Sequence, residues 1–213
     1  MKLTVLGASG RIGRHVVEQA LERGHEVTVL VRDPGRLTVD PTAVRVVVGT
    51  VQEGDAIERA IDGADAVVSA IGPDGNTPDQ VERLRAGMER TIAAMQRHGV
   101  RRIVNLSGAG ISAPREEKPR FDRIATRIVR LFSRHVVAAK QAEYDELARS
   151  ELEWVAIRPA LVTDGPLTGH YAAGPKELRP GARISRHDIA HLMLGEAERP
   201  THAGHPGIFV RAT

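Results

Sequence analysis

Apolar residues occur in two patterns that alternate along the whole chain. Short continuous runs rich in Val, Ile and Leu are typical of strands buried on both faces of a parallel sheet. Longer stretches carry apolar residues at helical spacing opposite a charged face. Since the two patterns alternate without an internal repeat or a change in composition, they predict one α/β domain, a doubly wound parallel sheet with helices on both faces. Strands are predicted at 2–6, 27–31, 44–48, 64–71, 102–106 and 154–157, with short strands at 183–185 and 208–211. Helices are predicted before Gly24 and at 53–61, 77–98, 136–149 and 187–197, and a further basic helix ends at 133–134.

Three glycines follow the first predicted strand at once, in the spacing G-x-x-G-x-x-G. Gly7 lets the chain leave the strand in a tight turn, Gly10 lets the backbone approach phosphates, and Gly13 lets helix and strand pack closely. A glycine triad alone marks many ordinary turns. Between a strand and a helix that leads to a second strand, it predicts a Rossmann-type βαβ unit with a dinucleotide pyrophosphate on the helix N-terminus.

The residue at the end of the second strand bears on which dinucleotide is bound. NAD-specific folds usually carry Asp or Glu there for the ribose hydroxyls, whereas this chain has Arg32, with Arg36 one helical turn later and Arg11 in the glycine loop. Three guanidiniums could therefore converge on a 2′-phosphate. Arginine is abundant here, which weakens the argument for Arg11 and Arg36, but the strand end fixes the position of Arg32. We therefore expect NADP (NADPH) rather than NAD.

Composition excludes several other classes of protein. The 213 residues include no cysteine, so disulfides and cysteine-ligated metals are excluded, and the histidines show no convincing metal-ligand spacing. No apolar run approaches the roughly 18 residues of a membrane span, and none resembles the core of a signal peptide. A net charge of +3 and 3% aromatic residues do not favour nucleic acid. We therefore expect a cytoplasmic protein with a small-molecule substrate and no metal, nucleic-acid or membrane partner; monomer and homodimer both remain open.

Further candidate residues lie at the carboxyl ends of later strands, where ligands bind in open α/β sheets. Gly72 follows the fourth strand, and Ser107 follows the fifth, where the alternative role is that of a turn or helix-cap serine. Residues 163–181 are rich in Pro and Gly and are predicted to be a loop that covers a pocket. Together with the C-terminal residues, this loop forms a small substrate or lid region at about 163–213 within a single domain of 1–213.

Several segments of the chain resemble one protein family nearly end to end. They are GASGRIG with VTVLVRDPGRL, DAVVSAIG, AAMQRHGVRRIVNLS, AEYDELARSELEWVAIRPALVTDGPLTGHY and RISRHDIAHLML. They resemble atypical short-chain dehydrogenase/reductases of the NAD(P)H-binding, NmrA-like type, and in particular the flavin reductase/biliverdin reductase B family.

The resemblance implies a role for each matching residue. The pyrophosphate would be bound by Gly7, Ser9, Gly10, Arg11, Ile12 and Gly13, and the 2′-phosphate by Arg32 and Arg36. The backbone of Val51 would flank the adenine, Ala70, Ile71 and Gly72 the ribose, and Ser107, Pro159, Ala160 and Leu161 the nicotinamide. Lys140 matches the lysine that usually binds the nicotinamide ribose, and Ser107 and Lys140 are the expected catalytic residues.

Departures from the family pattern concern the proton donor. The superfamily's general acid is a tyrosine four residues before the lysine, where this chain has Val136. Gly108 stands where the related branch has its active-site serine, Leu161 where it has a pocket histidine, and Thr50 where related proteins often have an aspartate near the adenine. Reduction of a carbonyl to an alcohol therefore lacks its usual acid. The potential substitutes, for which a structural role is favoured, are His135, Tyr144, His170 and Tyr171.

Three functions are compatible with these residues. The one favoured is an NADPH-dependent oxidoreductase that transfers hydride to a conjugated acceptor, such as a flavin, a quinone or a tetrapyrrole-like compound, whose proton comes from water. The second is a non-catalytic, NADP-sensing regulator of the NmrA-like type, which the missing tyrosine supports. A sugar-nucleotide epimerase or dehydratase is the third and fits least well, because such enzymes use the tyrosine.

Overall fold

A computed structural model describes residues 1–113, 133–175, 179, 181–202 and 207–213. The predicted basic helix that ends at 133–134 lies outside these residues, except for its last two positions. The strands are β1 Lys2–Leu6, β2 Glu26–Val31, β3 Arg45–Val48, β4 Ala66–Ser69, β5 Arg102–Leu106, β6 Glu153–Pro159, β7 Leu161–Thr163, β8 Tyr171–Gly174, β9 Arg183–Ser185 and β10 Ile208–Ala212. The helices are α1 Gly13–Glu22, α2 Gly54–Ile61, α3 Asp79–Arg97, α4 Arg134–Arg149 and α5 Arg186–Glu198, with two 3₁₀ turns at Pro34–Arg36 and Pro41–Ala43.

Eight of these strands form one twisted sheet in the order β3-β2-β1-β4-β5-β6-β10-β8. Every neighbouring pair is parallel except β10 and β8, which run antiparallel at one edge. The order reverses between β1 and β4, which is the switch point at which open α/β sheets bind their ligands. The predicted doubly wound Rossmann-type sheet is confirmed.

Apolar residues cover the sheet on both faces. On one face, α1 and α5 pack against β1, β2, β4, β5, β6 and β10, with Val16, Ile189 and Met193 at most 1% exposed. On the other, α2, α3 and the end of α4 pack through residues such as Ile57 and Met95, which are fully buried. The two-sided burial explains why the strands read as continuous apolar runs rather than alternating ones.

The prediction of a loop at 163–181 is wrong in part, because this segment contains strand β8. Its sequence YAAG lacks the apolar run of a buried strand, and the segment is held by pairing with β10, in which Phe209 lies opposite Gly174. Residues 161–163 form a separate two-stranded sheet with 183–185. The C-terminal region therefore contributes β8 and β10 to the main sheet.

Candidate cofactor and active site

A groove of about 200 Å³ runs along the carboxyl ends of β1, β2 and β4. Nine of the sequence-predicted site residues line it: Gly7, Ser9, Gly10, Arg32, Arg36, Val51, Ala70, Ile71 and Gly72. Seven others line it that the sequence did not assign to the site: Leu6, Leu30, Val31, Gly49, Thr50, Asp74 and Arg83. The structure thus brings the strand ends of the predicted βαβ unit to one site.

The glycine loop needs its first and third glycines for different reasons. Gly7 has φ +78°, and a Cβ there would lie 2.9 Å from the backbone of Ala70 at the end of β4. A Cβ on Gly13 would lie 2.1 Å from the carbonyl oxygen of Gly7, so only glycine lets α1 begin this close to the turn. The loop is closed by a hydrogen bond of 2.9 Å from the Gly10 N–H to the Gly7 carbonyl.

The N-terminus of α1 fits a pyrophosphate. Ile12 precedes the helix without a side-chain capping bond, and the first turn carries no acidic residue. N–H groups at such an end, together with the helix dipole, favour an anion. Ile12 itself packs against the core, and the exposed Arg11 does not line the groove. Ile12 and Gly13 therefore shape the loop, and Arg11 does not join the other arginines.

The arginines at the far end of the groove come from three different elements. Arg32 follows β2, Arg36 ends a 3₁₀ turn, and Arg83 lies on α3. Arg32 Nη1 donates to Asp74 Oδ2 over 3.1 Å, and Arg83 Nη1 donates to the same oxygen over 2.7 Å. The hydrogen bond and charge of Arg83, aided by Arg32, lower the pKa of the Asp74 carboxyl. The predicted cluster of three arginines thus contains Arg83 in place of Arg11, and one carboxylate lies within it.

Asp74 and Arg83 could not be found from the sequence. Asp74 lies in the segment GPDGN, which reads as an ordinary turn, and Arg83 lies on the polar face of a long helix. Only the packing of α3 beside β4 places them next to Arg32.

Ser107 begins the segment after β5 and is almost fully buried. Its N–H donates to the Ile157 carbonyl over 2.8 Å, whereas its hydroxyl has no hydrogen-bond partner among the described residues. A buried hydroxyl without a partner is costly, and a bound ligand could satisfy it. Of the residues predicted beside the nicotinamide, Pro159 ends β6, Ala160 is exposed, and Leu161 begins β7 with 49% exposure. None of these four residues lines the groove.

Lys140 uses all three of its N–H donors within the protein. Its Nζ donates to the carbonyl oxygens of Ile71 and Leu106, the latter over 2.8 Å, and to Glu143 Oε2 over 2.7 Å. Burial raises the pKa of the Glu143 carboxyl, although the neighbouring lysine acts in the opposite direction. Lys140 therefore joins the groove wall at Ile71 to the end of β5, and a bond to a ribose hydroxyl would require it to release one of these acceptors.

The alternative proton donors have structural roles or lie on the surface. Tyr144 is 1% exposed and packs edge-on against Trp154, with ring centroids 5.4 Å apart. The Tyr171 hydroxyl contacts His191 Nδ1 at 2.7 Å, and burial raises the pKa of Tyr171 to about 12. His170 is exposed. Tyr144 and Tyr171 are thus bound into the fold, as the sequence favoured.

The start of α4 is held by the loop after β4. Asn76 Oδ1 accepts hydrogen bonds from the N–H groups of His135, over 2.9 Å, and Val136, over 3.4 Å. The same loop carries Asp74, so it contacts both the arginine cluster and the helix that bears Lys140. Val136, at the position of the missing tyrosine, is partly buried.

A buried arginine supports the backbone that follows Ser107. Arg158 is 1% exposed, its guanidinium lies 4.3 Å from the centre of the Phe209 ring, and its Nη2 donates to the Ile111 carbonyl over 2.7 Å. The sequence assigned no role to Arg158, because the strand was predicted to end at residue 157, whereas β6 continues to Pro159. Its contacts fix the course of residues 108–111 beside the site.

The structure also bears on metals and membranes. Among the described residues, no group of three or more His, Asp or Glu side chains is arranged to hold a metal ion. None of the helices within the described ranges is long and apolar enough to cross a membrane.

Two proteins of known sequence resemble this chain over nearly its whole length. A reductase of (4-alkanoyl-5-oxo-2,5-dihydrofuran-3-yl)methyl phosphate from Streptomyces griseus is 29% identical over 96% of the chain, which spans 65% of that enzyme's length. The uncharacterized protein YwnB of Bacillus subtilis is 29% identical over 95% of this chain and 94% of its own.

Two solved structures share the fold. An anaerobilin reductase from Escherichia coli O157:H7, ChuY, superimposes with a TM-score of 0.81 at 18% identity, covering 100% of this chain and 97% of its own. A short-chain dehydrogenase/reductase from Veillonella parvula, in complex with NADP, superimposes with a TM-score of 0.77 at 19% identity, covering 99% of this chain and 94% of its own. The family model described as NAD(P)H-binding matches residues 7–200. The chain therefore belongs to the NAD(P)H-binding family, as its resemblance to NAD(P)H-binding proteins of the atypical short-chain dehydrogenase/reductase type predicted.

Proposed function

We propose that this protein is an NADPH-dependent reductase that transfers hydride to a conjugated acceptor such as a flavin, a quinone or a tetrapyrrole-like compound. The observation that carries the proposal is the groove, which runs from the glycine loop and the uncapped start of α1 to the arginines around Arg32. Bound NADPH supplies the hydride. The residues of the chain position the two reactants, which alone can supply much of a rate enhancement.

The nature of the acceptor follows from the missing acid. No tyrosine precedes Lys140 by one helical turn, and Tyr144 and Tyr171 are bound into the fold. A conjugated acceptor can spread the charge of the added electron pair and take its proton from water, so that NADPH becomes NADP⁺ and the acceptor gains one hydride and one proton. The reductase relative from Streptomyces griseus supports the same reaction class.

The site residues have distinct proposed roles. The glycine loop, with Gly7, Ser9 and Gly10, binds the pyrophosphate, and Arg32 and Arg36 bind the 2′-phosphate. The backbone of Val51 lies beside the adenine, and Ala70, Ile71 and Gly72 lie beside the ribose. Ser107 and the segment 159–161 lie next to the nicotinamide, and Lys140 holds the groove wall in place. We also propose a cytoplasmic location.

Two observations favour a second function, a nucleotide-sensing regulator of the NmrA-like type. Val136 replaces the usual acid, and the donors of Lys140 are all occupied. Such a protein would bind NADPH without oxidising it.

Steady-state oxidation of NADPH and NADH with FMN, riboflavin or a small quinone separates the two functions. The reductase should oxidise NADPH saturably and in preference to NADH. Arg32→Ala should reduce this preference about tenfold, because a hydrogen bond to a charged group is lost. Arg45→Ala is the matched control, since Arg45 is an exposed arginine at the amino end of β3, whereas the groove lies at the carboxyl ends of the strands. Tight binding of NADPH without oxidation by any acceptor would favour the sensor.

A further inference from the structure

A carboxylate lies inside the arginine cluster of the groove, although the end of β2 carries none. Asp74 comes from the loop after β4, 42 residues from Arg32 along the chain, and accepts hydrogen bonds from both Arg32 and Arg83. Arg36, by contrast, has no acidic partner within the described ranges and is exposed.

This arrangement changes what the end of β2 implies. In dinucleotide-binding folds, an acid at this strand end accepts hydrogen bonds from the ribose hydroxyls and repels a 2′-phosphate. Here the strand end carries Arg32, but a carboxylate reaches the same place from a different loop. Of the five Arg32 N–H groups that could serve a phosphate, one on Nη1 is already donated to Asp74, over 3.1 Å.

We propose that Asp74 is a specificity-determining residue of the nucleotide site, which weakens binding of 2′-phosphorylated dinucleotides and keeps the groove open to those with a free 2′-hydroxyl. It does so by occupying a donor of Arg32 and by placing a negative charge beside the 2′-phosphate position. The inference rests on the proposed function only in taking the groove as a site for an adenine dinucleotide.

The protein holds Asp74 in place independently of Arg32. Its N–H donates to Gln80 Oε1 over 3.0 Å, and Gln80 is itself 6% exposed. Its bond to Arg83 is the shorter of the two, at 2.7 Å, so a phosphate that captures Arg32 leaves the carboxylate nearby on Arg83. The repulsion therefore persists after the nucleotide binds, and the charge remains at neutral pH because Arg83 and Arg32 lower the pKa of Asp74.

Asp33 is the rival for this role, since it follows Arg32 directly. Its Oδ1 accepts a hydrogen bond of 2.9 Å from the Gly35 N–H, and Asp33 caps the short 3₁₀ turn. It does not line the groove. Its contacts are thus local and make it a structural residue.

The test measures dissociation constants for NADP⁺, NAD⁺, 2′,5′-ADP and 5′-AMP by calorimetry on the full chain. Asp74→Asn keeps the shape of the side chain and removes its charge. This variant should bind NADP⁺ and 2′,5′-ADP about fivefold more tightly, relative to NAD⁺ and 5′-AMP. That factor corresponds to the interaction of two unit charges about 4 Å apart in water. High salt should reduce the difference between the variant and the parent.

Two matched variants remove the same charge elsewhere. Glu22→Gln changes an exposed residue at the far end of α1, and Asp33→Asn changes the residue that follows Arg32. Neither should change the ratio of the two affinities. An unchanged ratio in Asp74→Asn, or an equal change in Asp33→Asn, would overturn the assignment.

The outcomes also separate this inference from the reductase proposal. A shifted ratio in a protein that oxidises no nucleotide supports the role of Asp74 and contradicts the reductase. Turnover of NADPH with an unshifted ratio supports the reductase and contradicts the role of Asp74. If none of the four nucleotides binds to any variant, both are overturned.

Discussion

Lys140 and Glu143 form a buried ion pair next to the groove, with side chains 10% and 3% exposed. The lysine also holds two backbone carbonyls, at the ends of β4 and β5. Taking two charges out of water is costly, and this cost is balanced only while both partners and the extra hydrogen bonds remain. The pair therefore fixes the geometry of the groove wall, and its loss should affect folding before chemistry.

Lys140→Met should lower the free energy of unfolding by about 3–5 kcal/mol, because it leaves a buried carboxylate without its cation. Burial already raises the pKa of Glu143, and without the lysine the folded protein would prefer the protonated acid still more. Where the pKa of an acid is higher in the folded than in the unfolded state, the protein loses stability as the pH rises above the unfolded-state pKa. Urea unfolding of Lys140→Met should therefore show decreasing stability from pH 5 to pH 8.

The double variant Lys140→Met/Glu143→Leu provides the control. It replaces the pair by apolar side chains, which is often neutral for stability. It should recover most of the lost free energy and the pH dependence of the single variant should vanish. A single variant as stable as the parent at pH 8 would show that the pair does not support the wall.

Helices α1 and α5 form an interface directly behind the glycine loop. The rings of His15 and His187 lie with their centroids 3.8 Å apart, and the Gln19 side-chain amide donates to the His187 carbonyl over 3.0 Å. His15 Nδ1 contacts Glu18 Oε2 at 2.9 Å, and Arg14 donates to His15 Nε2 over 3.2 Å. These bonds suit a neutral His15 that donates through Nδ1 and accepts through Nε2.

Mild acid should therefore weaken this interface. Burial lowers the pKa of His15 below 6.5, and the neighbouring His187 and Arg14 act in the same direction, against Glu18. A base whose folded pKa lies below its unfolded value stabilises the protein above the unfolded pKa, and this stability is lost as the pH falls through the folded pKa. The free energy of unfolding should thus decrease when the pH falls below 6.5.

His15→Phe tests this element because it keeps a stacked ring and removes the titration. The variant should show a smaller loss of stability between pH 7.5 and pH 5.5 than the parent, measured by urea unfolding at several pH values. His170→Gln is the matched control, since His170 is exposed and outside the interface. Equal pH profiles for His15→Phe and the parent would contradict the expectation.

The whole sheet depends on its last strand. β10 lies between β6, to which it is parallel, and the antiparallel edge strand β8. Its residues Ile208, Phe209 and Val210 are 0%, 4% and 1% exposed. Among the described strands, β8 pairs in the main sheet with β10 alone, so the C-terminal strand holds this edge together.

Truncation after residue 206 should prevent stable folding. Removing three buried side chains costs about 1.5–3 kcal/mol each, and the total is comparable to the roughly 5–15 kcal/mol that stabilise a typical domain. Circular dichroism and thermal unfolding of the truncated protein measure the effect. Truncation after Arg211 removes only two exposed residues and should leave the melting temperature within a few degrees. A folded protein lacking residues 207–213 would show that the edge is held by other contacts.

The sequence determined the architecture because each major element carries its own signal. Strands β1 to β6 each contain a short apolar run. The glycine loop has a spacing that a tight turn and close packing require, and Gly24 and Gly99 end their helices with φ of +76° and +69°. The position of Arg32 at the end of β2 followed from the same local pattern.

Tertiary structure alone decided the features that depend on residues far apart in the chain. Strand β8 exists because β10 pairs with it, and Lys140 is occupied because β4, β5 and α4 meet at its ammonium group. Asp74 and Arg83 reach Arg32 only when α3 packs beside β4. A local pattern records the state of one segment, whereas such contacts arise from the geometry of several segments and leave no mark at any one of them.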